Sequence, residues 1–113
     1  MRLPFPTNLA FEPIQVCNAA CVCCPYSWLK DDPKYFGVSM SEENITKLLN
    51  QFGSCREQYH YDGKLKVYPF RFSDPLVCKD LELILDLCRT NKMNCQITTN
   101  AFISSKRWLQ FTF

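Results

Sequence analysis

Residues 65–99, LKVYPFRFSDPLVCKDLELILDLCRTNKMNCQITT, hold a strand, a helix and a second strand in immediate succession. β-Branched and aromatic residues predict a strand over 65–72, and Ser73-Asp74-Pro75 ends it. Apolar residues every three or four positions predict a helix over about 78–91. The run 94–99 predicts the next short strand. A strand–helix–strand unit of this kind indicates two parallel strands joined by a helical crossover.

The residues before this unit follow the same alternation of strand and helix. Residues 9–16, LAFEPIQV, predict a short strand that Pro13 makes irregular or places at an edge. Residues 17–38 are predicted to form a loop, because they combine cysteines, prolines and an Asp-Asp-Pro turn. Residues 54–63 are predicted to be a polar connection.

A helix between the loop and this connection is the clearest element of the chain. Ser39 or Ser41 can cap its first turn, and Glu42 follows Ser39 at the spacing of a capping box. Gly53 is predicted to end the helix. Its apolar face is formed by Ile45, Leu48, Leu49 and Phe52.

The whole chain therefore predicts one α/β domain over residues 1–113 with about three parallel strands. Residues 104–113 predict the first turns of a further helix. In parallel α/β folds, ligand sites form at the carboxyl ends of the strands. Three polar segments fall at those ends: the cysteine run from Cys17, Ser73-Asp74-Pro75, and Thr99-Asn100.

Composition narrows the classes of partner and location. The chain of 113 residues is 47% hydrophobic with a formal charge of +2, and its basic and acidic residues are interleaved. This pattern disfavours nucleic acid as the main partner, because no basic stripe could follow a phosphate backbone. We find no signal-peptide pattern and no apolar run of membrane-spanning length, so the sequence predicts a cytoplasmic protein without a membrane partner.

Eight cysteines in such a chain indicate a metal or redox site rather than a disulfide framework. Four of them lie between positions 17 and 24. Cys17, Cys21 and Cys24 are spaced so that a short loop could hold three irons of a four-iron, four-sulfur cluster and leave the fourth iron open. A structural zinc site, with Cys23 as the fourth ligand, and a small ferredoxin-like electron carrier are the alternatives. The remaining cysteines are predicted to be small core residues: Cys55, Cys78, Cys88 and Cys95.

The ordered set of motifs resembles the radical S-adenosylmethionine enzymes. Cys17-x3-Cys21-x2-Cys24 follows the first strand, Phe72-Ser73-Asp74-Pro75-Leu76 stands in the place of a Gly-Glu-Pro segment, and Thr99-Asn100 closes the third strand. The likeness covers about residues 11–101. Cys23 and the Ser-Asp-Pro sequence depart from the family pattern, which usually has an aromatic residue and Gly-Glu-Pro at these places.

The resemblance implies a fold, cofactors and partners. The fold would be part of a (β/α)6 partial barrel of the TIM type, and the chain its N-terminal half. The cofactors would be a 4Fe-4S cluster held by Cys17, Cys21 and Cys24, and S-adenosylmethionine, which the reduced cluster cleaves to methionine and a 5′-deoxyadenosyl radical. An electron donor such as a flavodoxin or ferredoxin would reduce the cluster. The substrate and any further catalytic residue are not indicated.

The same resemblance implies contacts to S-adenosylmethionine. Ser73, Asp74 and Pro75 would lie beside its methionine amino group, through backbone carbonyls or the Asp74 side chain. Thr99 and Asn100 would line the same part of the S-adenosylmethionine pocket. Cys23 or Tyr26 would lie near the adenine.

Overall fold

The computed structural model describes residues 5–35 and 37–101, and these form an α/β unit around a three-stranded parallel sheet. In chain order its elements are β1 (Asn8–Ala10), α1 (Pro25–Leu29), α2 (Glu42–Gln58), β2 (Lys66–Tyr68), a 3-10 helix (Pro75–Val77), α3 (Leu81–Thr90) and β3 (Asn94–Cys95). The predicted α/β class and parallel pairing are confirmed. The predicted helix at 104–113 lies outside the described residues.

The sheet has the order β1-β2-β3, with β2 in the centre. Leu9, Val67 and Cys95 are aligned across the three strands in register. All three belong to the hydrophobic core or pack against it, whereas Lys66 and Asn94 of the neighbouring row are exposed. The alternation of a buried and an exposed face therefore fixes the register of these short strands.

The core lies where α2, α3 and β2 pack together. Ile45 and Leu49 of α2, Val67 of β2, and Leu81 and Ile84 of α3 are completely buried. Burial of such a side chain contributes about 1.5–3 kcal/mol, so this apolar cluster is the main source of stability. Among the described residues, no helix combines the length and the apolar character needed to cross a membrane.

The end of α2 differs from the prediction. The helix passes through Gly53 and ends at Gln58, so residues 54–58 are helical rather than part of a connection. Gly53 is a packing residue: a Cβ there would lie 2.5 Å from the Asn91 side chain at the end of α3. The turn out of the helix is made instead at His60, whose φ is 52°.

The start of α2 agrees with one of the two predicted caps. The Ser41 hydroxyl accepts a hydrogen bond from the Asn44 backbone N–H at 3.2 Å, and Glu42 and Glu43 lie in the first turn. Both features stabilise a helix N-terminus, because they satisfy an unpaired donor and complement the helix dipole. Ser41 is thus the cap, and the capping box expected from Ser39 does not form.

The strands are shorter than predicted. Strand pairing covers 8–10, 66–68 and 94–95, against the predicted 9–16, 65–72 and 94–99. Pro13 and Pro69 follow β1 and β2 closely, and proline cannot donate a hydrogen bond to a neighbouring strand. Single hydrogen bonds extend the pairing beyond the strand ends, from Phe11 N to Tyr68 O and from Gln96 N to Val67 O.

Candidate functional site

The carboxyl ends of the three strands meet at one edge of the sheet. Asp74, after β2, is 3% exposed, and its carboxylate accepts hydrogen bonds from Thr99 Oγ1 at 2.8 and 2.7 Å and from Asn100 N at 2.9 Å. It also accepts one from Leu76 N at 2.9 Å, which caps the 3-10 helix. The expected proximity of Ser73-Asp74-Pro75 to Thr99-Asn100 is therefore confirmed.

Asn100 joins this pair of strand ends to the cysteine loop. Its side-chain Nδ2 donates to Asn18 Oδ1 at 2.9 Å and lies 3.9 Å from Cys17 Sγ. Its backbone N–H donates to Asp74. Asn100, in the segment after β3, thus contacts the segments after β1 and β2, and the predicted strand-end cluster exists as a set of direct contacts.

The two ends of the cysteine loop are hydrogen-bonded to each other. Gln15 N donates to Val38 O and Gly37 N donates to Gln15 O, each at 2.8 Å, and Met40 N donates to Pro13 O at 2.8 Å. Gly37 has φ +82°, a conformation that other residues adopt at a cost. This pairing holds the two ends of the loop together, so that the cysteines project from one fixed base.

The Cys21–Cys24 turn is organised by its own backbone. Cys21 O accepts hydrogen bonds from Cys24 N at 3.1 Å and from Ser27 Oγ at 2.7 Å. Pro25 then begins α1, the element within the predicted loop 17–38 that the sequence analysis missed. Proline at the first position of a helix costs nothing, because that N–H has no partner in the helix.

The four clustered cysteines are free thiols that differ in exposure. Cys17 and Cys24 are half-buried, whereas Cys21 and Cys23 are exposed. Within residues 5–35 and 37–101, no three His, Cys, Asp or Glu side chains lie close enough together to hold one metal ion. The loop thus carries thiols, which can bind metal ions, at the strand ends. Their sulfur atoms are not already arranged as a metal site.

The other four cysteines are not part of this loop. Cys78 and Cys88 are buried, as predicted for small core residues, whereas Cys55 and Cys95 are half-buried. A hydrogen bond to the Cys95 thiol, together with burial, raises the pKa of Cys88. Cys88 is therefore a protonated core thiol at neutral pH.

Glu12 is a site residue that sequence reasoning missed. It lies just beyond β1, and its carboxylate accepts hydrogen bonds from the Ser73 backbone N–H at 2.9 Å, from the Arg71 N–H at 3.1 Å and from the Ser73 hydroxyl. Burial would raise the Glu12 pKa, but the hydrogen bonds from Ser73, Tyr26 and Phe72 outweigh it and lower that pKa. A single Glu within a short strand pattern gave no signal of this role.

Tyr26 lies on the other side of Glu12. Its ring is 6% exposed and meets the Phe72 ring edge-on at 6.0 Å between centroids. Burial, followed by the hydrogen bond to Glu12 and the charge of that carboxylate, raises the Tyr26 pKa. Tyr26 is therefore a neutral, buried donor, whereas Cys23 of the same loop is exposed.

A groove of ≈ 270 Å³ lies between the carboxyl-terminal ends of α2 and α3. Arg56, in the wall of this groove, donates to the backbone carbonyls of Asn91 and Lys92 and so closes the end of α3. In a parallel α/β unit the helices end at the edge of the sheet opposite to the strand ends. The groove is thus separate from the candidate site.

Comparisons of this chain with protein-family models, with curated proteins and with solved structures find no match.

Proposed function

We propose that this chain contains the first part of a radical S-adenosylmethionine domain, in which Cys17, Cys21 and Cys24 bind a 4Fe-4S cluster. The observation that carries the proposal is the contact of Asn100 with Asp74, Asn18 and Cys17 at the meeting point of the strand ends. The cysteine loop therefore adjoins the segments after β2 and β3, at the edge of a parallel sheet where ligand sites form.

The cysteine loop fits a cluster in donor type and length. Its thiols are unpaired, and the three proposed ligands lie within residues 17–24 on a loop whose base is fixed. Thiolates are the usual protein ligands of iron–sulfur clusters. When bound, the cluster and S-adenosylmethionine would supply one-electron cleavage of the cofactor to methionine and a 5′-deoxyadenosyl radical.

The segment after β2 would bind the methionine end of S-adenosylmethionine. The Asp74 carboxylate is already bonded to Leu76, Thr99 and Asn100, and the backbone carbonyls of Asp74 and Pro75 accept from the N–H groups that follow them. We therefore assign the amino group to the Ser73 backbone carbonyl. In this assignment Asp74 shapes the segment, Pro75 starts the 3-10 helix, and Thr99 and Asn100 form the opposite wall. Tyr26 or Cys23 would lie on the adenine side.

The fold is compatible with this function. A sheet of order β1-β2-β3 with parallel pairing and intervening helices is the arrangement of successive units in a (β/α)6 partial barrel. The substrate remains unidentified, and the electron donor would be a small flavodoxin-like or ferredoxin-like protein.

Anaerobic iron–sulfur reconstitution tests the proposal directly. Electron paramagnetic resonance of the reduced protein should give a 4Fe-4S signal whose shape changes when S-adenosylmethionine is added. A signal that ignores S-adenosylmethionine, or a preparation that binds only zinc, would contradict the proposal and favour a structural metal module.

Cys23→Ser is the matched control for this experiment. Cys23 is exposed in the same loop but is outside the proposed ligand set. The variant should keep its iron and its cluster signal, whereas a four-cysteine zinc or ferredoxin site would lose its metal.

A further inference from the structure

The Glu12 carboxylate joins two segments that the proposed function assigns to two different cofactors. On one side it accepts hydrogen bonds from the backbone of residues 71–73, at 2.9 to 3.3 Å, and from the Ser73 hydroxyl. On the other side it accepts one from the hydroxyl of Tyr26, which lies two residues after Cys24. One side chain therefore spans from the cysteine loop to the segment that precedes Asp74.

Strong hydrogen bonds and burial make this link through Glu12 rigid. Hydrogen bonds to an ionised acceptor are shorter and roughly twice as strong as those between neutral groups. Ser73, Asp74 and Pro75 are all buried, and the Phe72 ring rests against Tyr26, so the linked segment has little room to shift. Glutamine in place of Glu12 would keep the shape and one acceptor oxygen, but it would lose the negative charge and replace the second oxygen, which accepts from Phe72 N, by an NH2 donor.

We infer that Glu12 is a positioning residue, which sets the separation between the cysteine loop and the Ser73–Pro75 segment before S-adenosylmethionine binds. The inference rests on the proposed function, since only a cofactor held at both places would require this separation to be fixed. Glu12 itself contacts neither the cluster nor S-adenosylmethionine in this assignment. Its loss should therefore weaken S-adenosylmethionine binding without removing iron.

The first measurement uses the protein without cofactors. In Glu12→Gln, amide hydrogen exchange at residues 71–73 should be about tenfold faster, because the charged acceptor of these N–H groups is lost. Exchange in the α2 core, at Ile45 and Leu49, should be unchanged. Equal protection at residues 71–73 in both proteins would overturn the inference, since the carboxylate would then hold nothing.

The second measurement uses the reconstituted, reduced protein. We expect Glu12→Gln to keep its iron content and its signal, and to need about tenfold more S-adenosylmethionine for the spectral change. Tyr26→Phe keeps the ring and loses only the hydroxyl, so it should shift the titration in the same direction by less. Glu43→Gln, an exposed carboxylate in the first turn of α2, is the matched control and should titrate like the wild type.

The outcomes separate the two proposals. A wild-type protein that shows no response to S-adenosylmethionine overturns the proposed function and this inference with it. A responsive wild type with an unaltered titration in Glu12→Gln overturns the inference alone. Should Glu12→Gln fail to fold or to hold iron, hydrogen exchange of Tyr26→Phe without cofactors decides: unchanged exchange at residues 71–73 overturns the inference, and faster exchange there supports it.

Discussion

The described part of the molecule has two sides: a helical side, where α2 and α3 pack on β2, and a strand-end side, formed by the segments that follow the three strands. Different forces stabilise each side. On the helical side, Ile45, Leu49, Val67 and Ile84 are completely excluded from water. On the strand-end side, Val22 and Trp28 are 90% and 69% exposed, and order comes from hydrogen bonds to carboxylates. Hydrophobic burial is non-directional, whereas a hydrogen bond fixes direction, so the first stabilises the domain and the second arranges a site.

The two carboxylates on the strand-end side have complementary partners. Asp74 binds Thr99 and Asn100 across the sheet, and Glu12 binds Ser73 and Tyr26 from β1 toward the cysteine loop. Each buried or half-buried negative charge is compensated by several donors, as burial of a charge requires. The comparison predicts that substitutions on the two sides will affect different properties.

The largest expected effect separates metal binding from folding. Serine in place of Cys17, Cys21 or Cys24 should remove nearly all reconstituted iron, because three thiolates hold the cluster and none is replaceable by a hydroxyl. The same substitutions should leave thermal unfolding of the metal-free protein almost unchanged. Cys55→Ser is the control for iron content; equal iron in it and in the triplet variants would refute the assignment of the ligands.

Leu49→Ala should have the opposite profile. Truncation of this completely buried side chain should lower the free energy of unfolding by about 2–5 kcal/mol through lost burial and a residual cavity. Trp28→Ala removes a larger but mostly exposed side chain and should change it by less than about 0.5 kcal/mol. Denaturant titration compares the two, and similar losses would erase the distinction between the two sides.

Asp74→Asn tests whether the strand-end side has stability of its own. We expect a loss of about 2 kcal/mol, because the buried carboxylate accepts from Thr99, Asn100 and Leu76, and an amide cannot accept on both sides. Asp86→Asn, an exposed residue of α3 whose carboxylate is 3.8 Å from Arg89, should cost almost nothing. If the two variants have the same free energy of unfolding, the Asp74 hydrogen bonds orient the segments but do not stabilise the fold.

Gly53→Ala sharpens the description of the helical side. Alanine normally stabilises a helix by up to about 1 kcal/mol over glycine. Here its Cβ would meet Asn91, which is held by hydrogen bonds to Asn50 and Leu87, so we expect a net loss of about 1 kcal/mol. Ser54→Ala, one exposed position further along α2, should be neutral in thermal unfolding; a stabilised Gly53→Ala would mean that α2 and α3 can separate at this point.

The smallest effect concerns pH. The Glu12 pKa in the folded protein lies below its ordinary value of 4.5, since hydrogen bonds outweigh burial. Its stabilisation is therefore fully present above that ordinary value and is lost as the pH falls through the lower, folded-state pKa. Unfolding of the wild type and of Glu12→Gln, compared at about pH 7 and about pH 3, should differ more at the higher pH. A constant difference would mean that Glu12 titrates alike in both states.

Several features could be predicted from local sequence. The apolar spacing of Ile45 and Leu49 predicted α2, and Ser41 was one of its two predicted caps. The order of strands and helices predicted parallel pairing, and parallel pairing predicted that the segments at Asp74 and Asn100 would meet. These features depend on periodicity and connection rules, which a single sequence displays.

Other features could not be read from local patterns. A glycine at the end of an apolar helical pattern usually stops the helix. Only the close approach of Asn91, at the end of α3, explains why Gly53 lies inside α2. Pro25 falls in the predicted loop 17–38, although it begins α1. Glu12 is five positions before Cys17 in the chain, but its partners at residues 71–73 are about sixty positions away.

The amino-acid sequence alone predicted the class of the fold, the apolar face of α2 and the position of the polar segments at the strand ends. It did so because helix and strand periods and parallel connections are local properties of the chain. Tertiary structure alone decided that Glu12 joins residues 71–73 to Tyr26, that Asp74 uses its carboxylate on Thr99 and Asn100, and that α2 continues past Gly53. These contacts join residues distant in the chain, and such a pairing exists only once the sheet and its helices have packed.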